Sequence, residues 1–165
     1  GARGVSPVPA PKPPRETEVV MTHQVLPQDA NPAGNLHGGV ILRHVDTAGG
    51  VVAMRHCQGN AVTASIDRVD FLAPVFVGEL LVFKARLNFV GRSSMEVGVR
   101  VEAENLFTGA RRHTNTAYIT YVALGPDQRP VAVPELVLET DEDRRRFEEA
   151  RVRKELRMAA REREG

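Results

Sequence analysis

Between Asn31 and Gly50 the chain reads NPAGNLHGGVILRHVDTAGG, which places five glycines, Asn35 and Asp46 in what otherwise reads as a buried apolar helix. These residue types suit the addition of water to an activated carbonyl. A carboxylate such as Asp46 can take a proton from water, and a general base typically contributes about 10² to 10⁴ in rate. Gly38 and Gly39 stand where a helix would open; the first N–H groups of a helix have no partner inside it, and its dipole favours negative charge there. Lacking side chains, the two glycines let a carbonyl come close, so their N–H groups can hold an oxyanion, a stabilisation of about 3 to 4 kcal/mol per donor. The Asn35 amide can hold the attacking water or the carbonyl oxygen. Each residue also has a purely structural reading. The glycines allow a sharp turn, Asn35 caps the helix, and Asp46 pairs with Arg43 at i, i+3 for a few tenths of a kcal/mol.

His37 precedes the glycine pair, where the helix dipole disfavours an imidazolium, and no Ser or Cys nucleophile is placed by a motif. It is read as a wall of the site. His23, His44, His56 and His113 have no metal-ligand spacing, and no metal is implied.

The elements that position these residues follow from periodicity. Leu36 to His56 carries apolar residues at Leu36, Val40, Ile41, Val45, Ala48, Val51, Val52 and Met54, too wide a set for one narrow stripe, which predicts a central helix covered on most sides. A carboxylate within such a helix is costly unless it is paired or has a task. ETEVVMTHQVL before the helix, and AVTASIDRVDF, ELLVFKARLNFV, SMEVGVRVEAEN and ARRHTNTAYITYVAL after it, are rich in β-branched and aromatic residues and read as strands. GRSS and LFTGA suit hairpin connections, and APVFVGE reads as a punctuated crossover.

Composition limits the possible roles. The 165 residues suit one domain, 22 Lys and Arg balance 21 Asp and Glu, and aromatic residues are only 5% with no Trp, so neither a basic field nor a stacking platform for nucleic acid is indicated. No run is long enough to span a membrane, and the single Cys57 cannot form an internal disulfide, which with no signal sequence at the front favours a cytoplasmic setting. Residues 1–16 are Pro-rich and read as a disordered leader, residues 17–139 as the domain, and residues 140–165 as a charged helix with eight acids and nine bases from Asp141 to Glu164. That helix is expected to lie on the domain or on a partner subunit.

The order strand, helix, four strands predicts an α+β hotdog fold, an antiparallel sheet wrapped around a long central helix with an additional C-terminal helix. Exposed sheet edges and an uncovered flank of the single helix call for at least a dimer. NPAGNLHGGVILRHVDTAGGVVAMRHC, then TASIDRVDFLAPVFVGE, then VGRSSMEVGV and NTAYITYVAL, in that order, resemble the hotdog-fold acyl-CoA thioesterases of the broad-range branch over about residues 17 to 160. The resemblance implies hydrolysis of acyl-CoA to free acid and CoA in a homodimer or higher homo-oligomer, tetramer or hexamer. It implies no cofactor beyond the coenzyme A of the substrate. In that family an acidic residue at the Asp46 position is the general base or nucleophile, and a matching Asn or Asp fills the role assigned to Asn35.

Asn35 and Asp46 are eleven positions apart, roughly 15 Å along one helix axis, so they cannot share a water within a chain. Two helices antiparallel across a two-fold axis would bring them together in a composite site. The Gly49-Gly50 pair, at about 1 kcal/mol per Gly relative to Ala, marks a close approach by a partner helix, a strand or the acyl chain. Arg92 with Ser93 and Ser94 in the GRSS turn, together with Arg68, are candidates for the CoA phosphates, as is the Arg111-Arg112 pair. A catalytically silent acyl-CoA binding module of the same fold is the alternative. A hydratase is disfavoured because no Asp and His pair is arranged for it.

Overall fold

The apolar run opening at Gly38 forms α1, Gly38–Cys57, which ends on Gln58 in the left-handed conformation. The computed structural model describes residues 8–67 and 69–164. Around α1 lie β1 (Val19–Gln24), β2 (Asn60–Ile66), β3 (Leu80–Val90), β4 (Ser94–Glu104) and β5 (Arg111–Leu124), and α2 (Asp141–Glu164) closes the chain. The strands form one antiparallel sheet in the order β1-β3-β4-β5-β2, with the hairpins β3-β4 and β4-β5 at its centre. This is the α+β hotdog architecture expected from the sequence.

One face of α1, comprising Ile41, Val45, Ala48, Gly49, Val52, Ala53 and His56, is buried against the concave face of the sheet. Leu81, Phe83, Leu87, Val97, Val99 and Ile119 supply much of the other side of the core. Alternation along the strands fixes which side chains face the helix. The helix is not covered on most sides, as its breadth of apolar residues suggested. Val40, Leu42 and Val51 are only half-buried and Met54 is exposed, because the sheet of one chain reaches a single face.

The other face of the sheet is covered by α2, so this helix lies on the domain. Thr140 and Asp143 form a reciprocal cap at its start: the Asp143 carboxylate accepts from the Thr140 and Glu139 N–H groups, and the Thr140 hydroxyl accepts from the Asp143 N–H. Arg86 of β3 binds Asp143, Arg153 grips the buried Glu96 of β4, and Phe147 packs on Phe89 with ring centroids 4.7 Å apart.

The Pro-rich leader is not disordered over the residues described. Residues 8–16 dock, with Lys12 bridging Leu136 in parallel and its ammonium donating to the His56 carbonyl at 2.8 Å. Pro14 is buried in a short 3-10 turn, Pro14–Glu16. Prolines suit this packed extended segment because they need no backbone partner and lose little entropy when fixed. Residues 1–7 lie outside the described part.

Candidate active site

Three residues from three elements meet at Asp46. Thr63 of β2 and Tyr121 of β5 face each other across the strand pair, and the β2 register shifts between Thr63 and Ser65. Bulges of this kind re-aim side chains next to sites. The Thr63 hydroxyl donates to Asp46 Oδ1 at 2.7 Å, and the Tyr121 hydroxyl lies 2.9 Å from the Asp46 carbonyl oxygen and 3.1 Å from the same Oδ1. Both hydroxyls converge on Oδ1, so Oδ2 is the oxygen through which the carboxylate can take a proton. The side chain is neither fully buried nor paired with Arg43; neutral hydroxyls orient it. Burial, and then the neighbouring Asp46, push the Tyr121 phenol far above its ordinary value, so it stays a donor.

Tyr121 also explains half of the glycine pair. A Cβ at position 49 would stand 2.5 Å from the Tyr121 hydroxyl oxygen and 3.2 Å from its ring, whereas one at Gly50 would make ordinary contact at 3.7 Å. The close approach at Gly49 is therefore made by a strand residue of the same chain. Tyr121→Phe should keep the fold and KM while lowering kcat about tenfold, since a hydrogen bond to a charged group contributes about 1.5 to 3 kcal/mol and Thr63 remains. Gly49→Ala should lower both the melting temperature and kcat by displacing the phenol. Adding Tyr121→Phe to it should recover part of the stability, because the oxygen that clashes is gone while the ring stays at 3.2 Å. Thermal melts and steady-state kinetics of the three variants check both expectations.

The start of α1 is built by the loop before it. His37 is the N-cap residue, extended and without a side-chain cap bond, and Gly38 and Gly39 are the first helical residues, so their N–H groups have no acceptor within the helix. The Phe71 ring covers the Gly38 side, where a Cβ would meet it at 3.2 Å, while the Gly39 side faces open space. Asn35 is not the cap. Its backbone N–H and carbonyl are held by Asn31, and it forms an isolated antiparallel bridge with Phe76. Asn31 Oδ1 accepts from the N–H groups of Ala33, at 3.0 Å, and Asn35, at 3.1 Å. Gly34, at φ 86°, makes the turn possible. These bonds use the oxygen of the Asn31 amide as acceptor and leave its NH₂ available as a donor.

The basic candidates separate. Arg92 is exposed in the turn between β3 and β4, with the backbone of Ser93 tied to Ala123 and the Lys154 ammonium beside Gly91. Ser94 opens β4. Arg112 is fully engaged, donating twice to Glu79, at 2.6 and 2.7 Å, and once to the Pro74 carbonyl. Arg111 binds Glu104. Arg68 lies outside the described residues. Sequence reasoning missed Asn31, Thr63 and Tyr121. The available signals were a second Asn in the NPAGN turn and hydroxyl residues on strands flanking an acidic helix.

Residues 33–108 match the family model of the thioesterase superfamily. A Bacillus subtilis protein named as an uncharacterized acyl-CoA thioester hydrolase is 41% identical over 129 residues, covering 78% of this chain and 75% of that one. An acyl-CoA hydrolase from Staphylococcus aureus, solved with butyryl coenzyme A and coenzyme A, has a TM-score of 0.85 at 33% identity over 93% of each chain. The same enzyme has been solved with an aspartate, an asparagine fifteen positions before it, and a threonine seventeen positions after it each replaced by alanine. A hexameric acyl-CoA thioesterase is 38% identical, with a TM-score of 0.87 over 91% of this chain and 97% of that one.

The chain belongs to the thioesterase superfamily. Within it, the chain stands among the acyl-CoA thioester hydrolases.

Proposed function

We propose that this acyl-CoA thioester hydrolase works through a composite site, with Asp46 of one subunit as general base and Asn31, Gly38 and Gly39 of another holding the acyl group and water. One observation carries the assignment: Asn31, Asp46 and Thr63 stand at the same spacings as the three residues replaced in the Staphylococcus aureus enzyme, and Thr63 bonds directly to Asp46. Asn31 therefore takes the place first given to Asn35, whose backbone pins the turn instead.

In this mechanism water attacks the thioester carbon and gives its proton to Asp46 Oδ2. The carbonyl oxygen becomes an oxyanion facing the free N–H groups at the helix start, with the Asn31 NH₂ as a further donor. Collapse breaks the C–S bond, and the sulfur leaves with the proton returned by Asp46. Coenzyme A is part of the substrate and no separate cofactor takes part.

The composite arrangement has support within one chain. Gly38 and Asp46 are eight residues apart on α1, about 12 Å along its axis, too far to act on one carbonyl. The distance argument belongs to Gly38 rather than to Asn35, which lies before the helix. Asp46 sits beside β2, an edge strand with exposed Val62 and Ile66, and α1 keeps a half-buried apolar face. A second copy added at that edge would extend the sheet and bring its own helix start to Asp46. Phe76, Val77, Leu106 and the fully exposed Phe107 line another apolar surface, consistent with assembly beyond a dimer. Arg92 and Lys154 are the cations offered to the CoA phosphates. Among the described residues no helix is long and apolar enough to cross a membrane, and the free Cys57 fits a cytoplasmic setting.

Release of free thiol from a panel of acyl-CoA esters tests this reading. The expected result is saturable turnover with a chain-length optimum. Saturable binding without turnover would instead make the chain a silent acyl-CoA binding module.

A further inference from the structure

We propose that Asp29 is a positioning residue: with His23 as its partner, it fixes the loop that presents Asn31 and the opening turn of α1 to the acyl group. The inference rests on the assignment of Asn31 and the helix start as reacting groups.

Asp29 is a charged residue only 7% exposed, which demands compensation. Its Oδ2 accepts from the Leu26 N–H and from His23 Nε2, both at 2.8 Å. Those two bonds, the backbone one first, hold its carboxyl below the usual aspartate range. Its backbone carbonyl accepts from the His37 N–H at 2.9 Å, and its own N–H returns to the Leu26 carbonyl at 2.9 Å. One residue thus ties β1, through His23, to the residue that caps α1.

The two reacting features hang on either side of this tie. Asn31 follows two positions later, its N–H bonded to the Asn35 carbonyl at 2.7 Å, and Leu36 is held by the Val75 carbonyl at 2.8 Å. His37 immediately precedes Gly38 and Gly39. His23 is itself fixed from the helix side, because its ring lies 4.4 Å from that of His44, which bonds the Val40 carbonyl through Nδ1 and stacks on Phe83. Without the carboxylate, neither the Leu26 N–H nor His23 has its acceptor, and the turn is free to shift relative to the helix start. A displacement of about 1 Å at a reacting group can cost about 10²-fold in rate.

Asp29→Ala should therefore lower kcat about 30-fold while KM stays within about threefold. Asp29→Asn keeps an oxygen that can accept both bonds and should recover most of kcat. His23→Phe keeps a ring against His44 but removes the donor, and should lower kcat about fivefold; it also serves if Asp29→Ala fails to fold. A readout independent of stability comes from mixing subunits. Asp29→Ala damages the same half of the composite site as Asn31→Ala, so exchange with Asp46→Asn should restore activity and exchange with Asn31→Ala should not. Near-normal kcat in Asp29→Ala and His23→Phe beside an inactive Asn31→Ala overturns the positioning role alone. An active Asn31→Ala overturns the underlying assignment together with it. Equal recovery, or equal lack of it, in the two mixtures of Asp29→Ala reduces Asp29 to a residue of general stability, provided Asn31→Ala and Asp46→Asn complement each other.

Discussion

Asp46→Asn keeps its fold and its affinity for acyl-CoA and loses turnover by about 10² to 10⁴, the range of a general base. The amide has nearly the shape of the carboxylate, and its oxygen can still accept from Thr63 and Tyr121, the two groups that orient Asp46. What it lacks is a basic oxygen in the place of Oδ2 to receive the proton from water. The contrast with Tyr121→Phe is informative: that change leaves the base in place with one orienting bond fewer, so its effect is much smaller. Binding of a non-hydrolysable acyl-CoA analogue to Asp46→Asn, measured beside its rate of thiol release, separates loss of chemistry from loss of binding. A folded Asp46→Asn protein with full activity would leave the helix carboxylate without a chemical task.

The elements were legible because their periodicities are strong. The 3.6-residue pattern from Leu36 to His56 and the alternation in ELLVFKARLNFV, SMEVGVRVEAEN and ARRHTNTAYITYVAL locate α1 and β3 to β5 to within two residues, whereas β2 ends at Ile66, short of the Phe71 to which AVTASIDRVDF extends. Asp46 stood out as a carboxylate in an apolar helix. Tyr121 did not, since an inward-facing aromatic in an alternating strand looks like any core residue, and its value comes from a register that sets it opposite Thr63. The choice between Asn31 and Asn35 was likewise not local. Nearness to the helix favoured Asn35, but the extended conformation at His37 moved the cap away from it, and Asn31 became the residue whose amide is anchored. The leader shows the opposite failure. Its composition suggests disorder, and long-range contacts explain its order: Lys12 pairs with Leu136 and the end of α1, Arg15 binds Glu139, and Arg55 holds the Glu16 carbonyl.

The composite site is tested most directly by subunit exchange between two inactive variants. Asn31→Ala removes the amide donor at the loop, and Asp46→Asn removes the base on the helix; each alone should leave almost no activity. In a mixed dimer one site carries both defects and the other neither. With random exchange about half of the dimers are mixed, and each has one intact site of two, so roughly a quarter of the wild-type activity should return at equal total protein. Mass-tagged subunits verify that exchange has occurred, and Asn35→Ala, which leaves the Asn31 amide in place, should be active without mixing. Recovery near a quarter is the result this account predicts. Verified mixed dimers whose activity stays at the level of the single variants would contradict it, because Asn31 and Asp46 would then not meet across the interface.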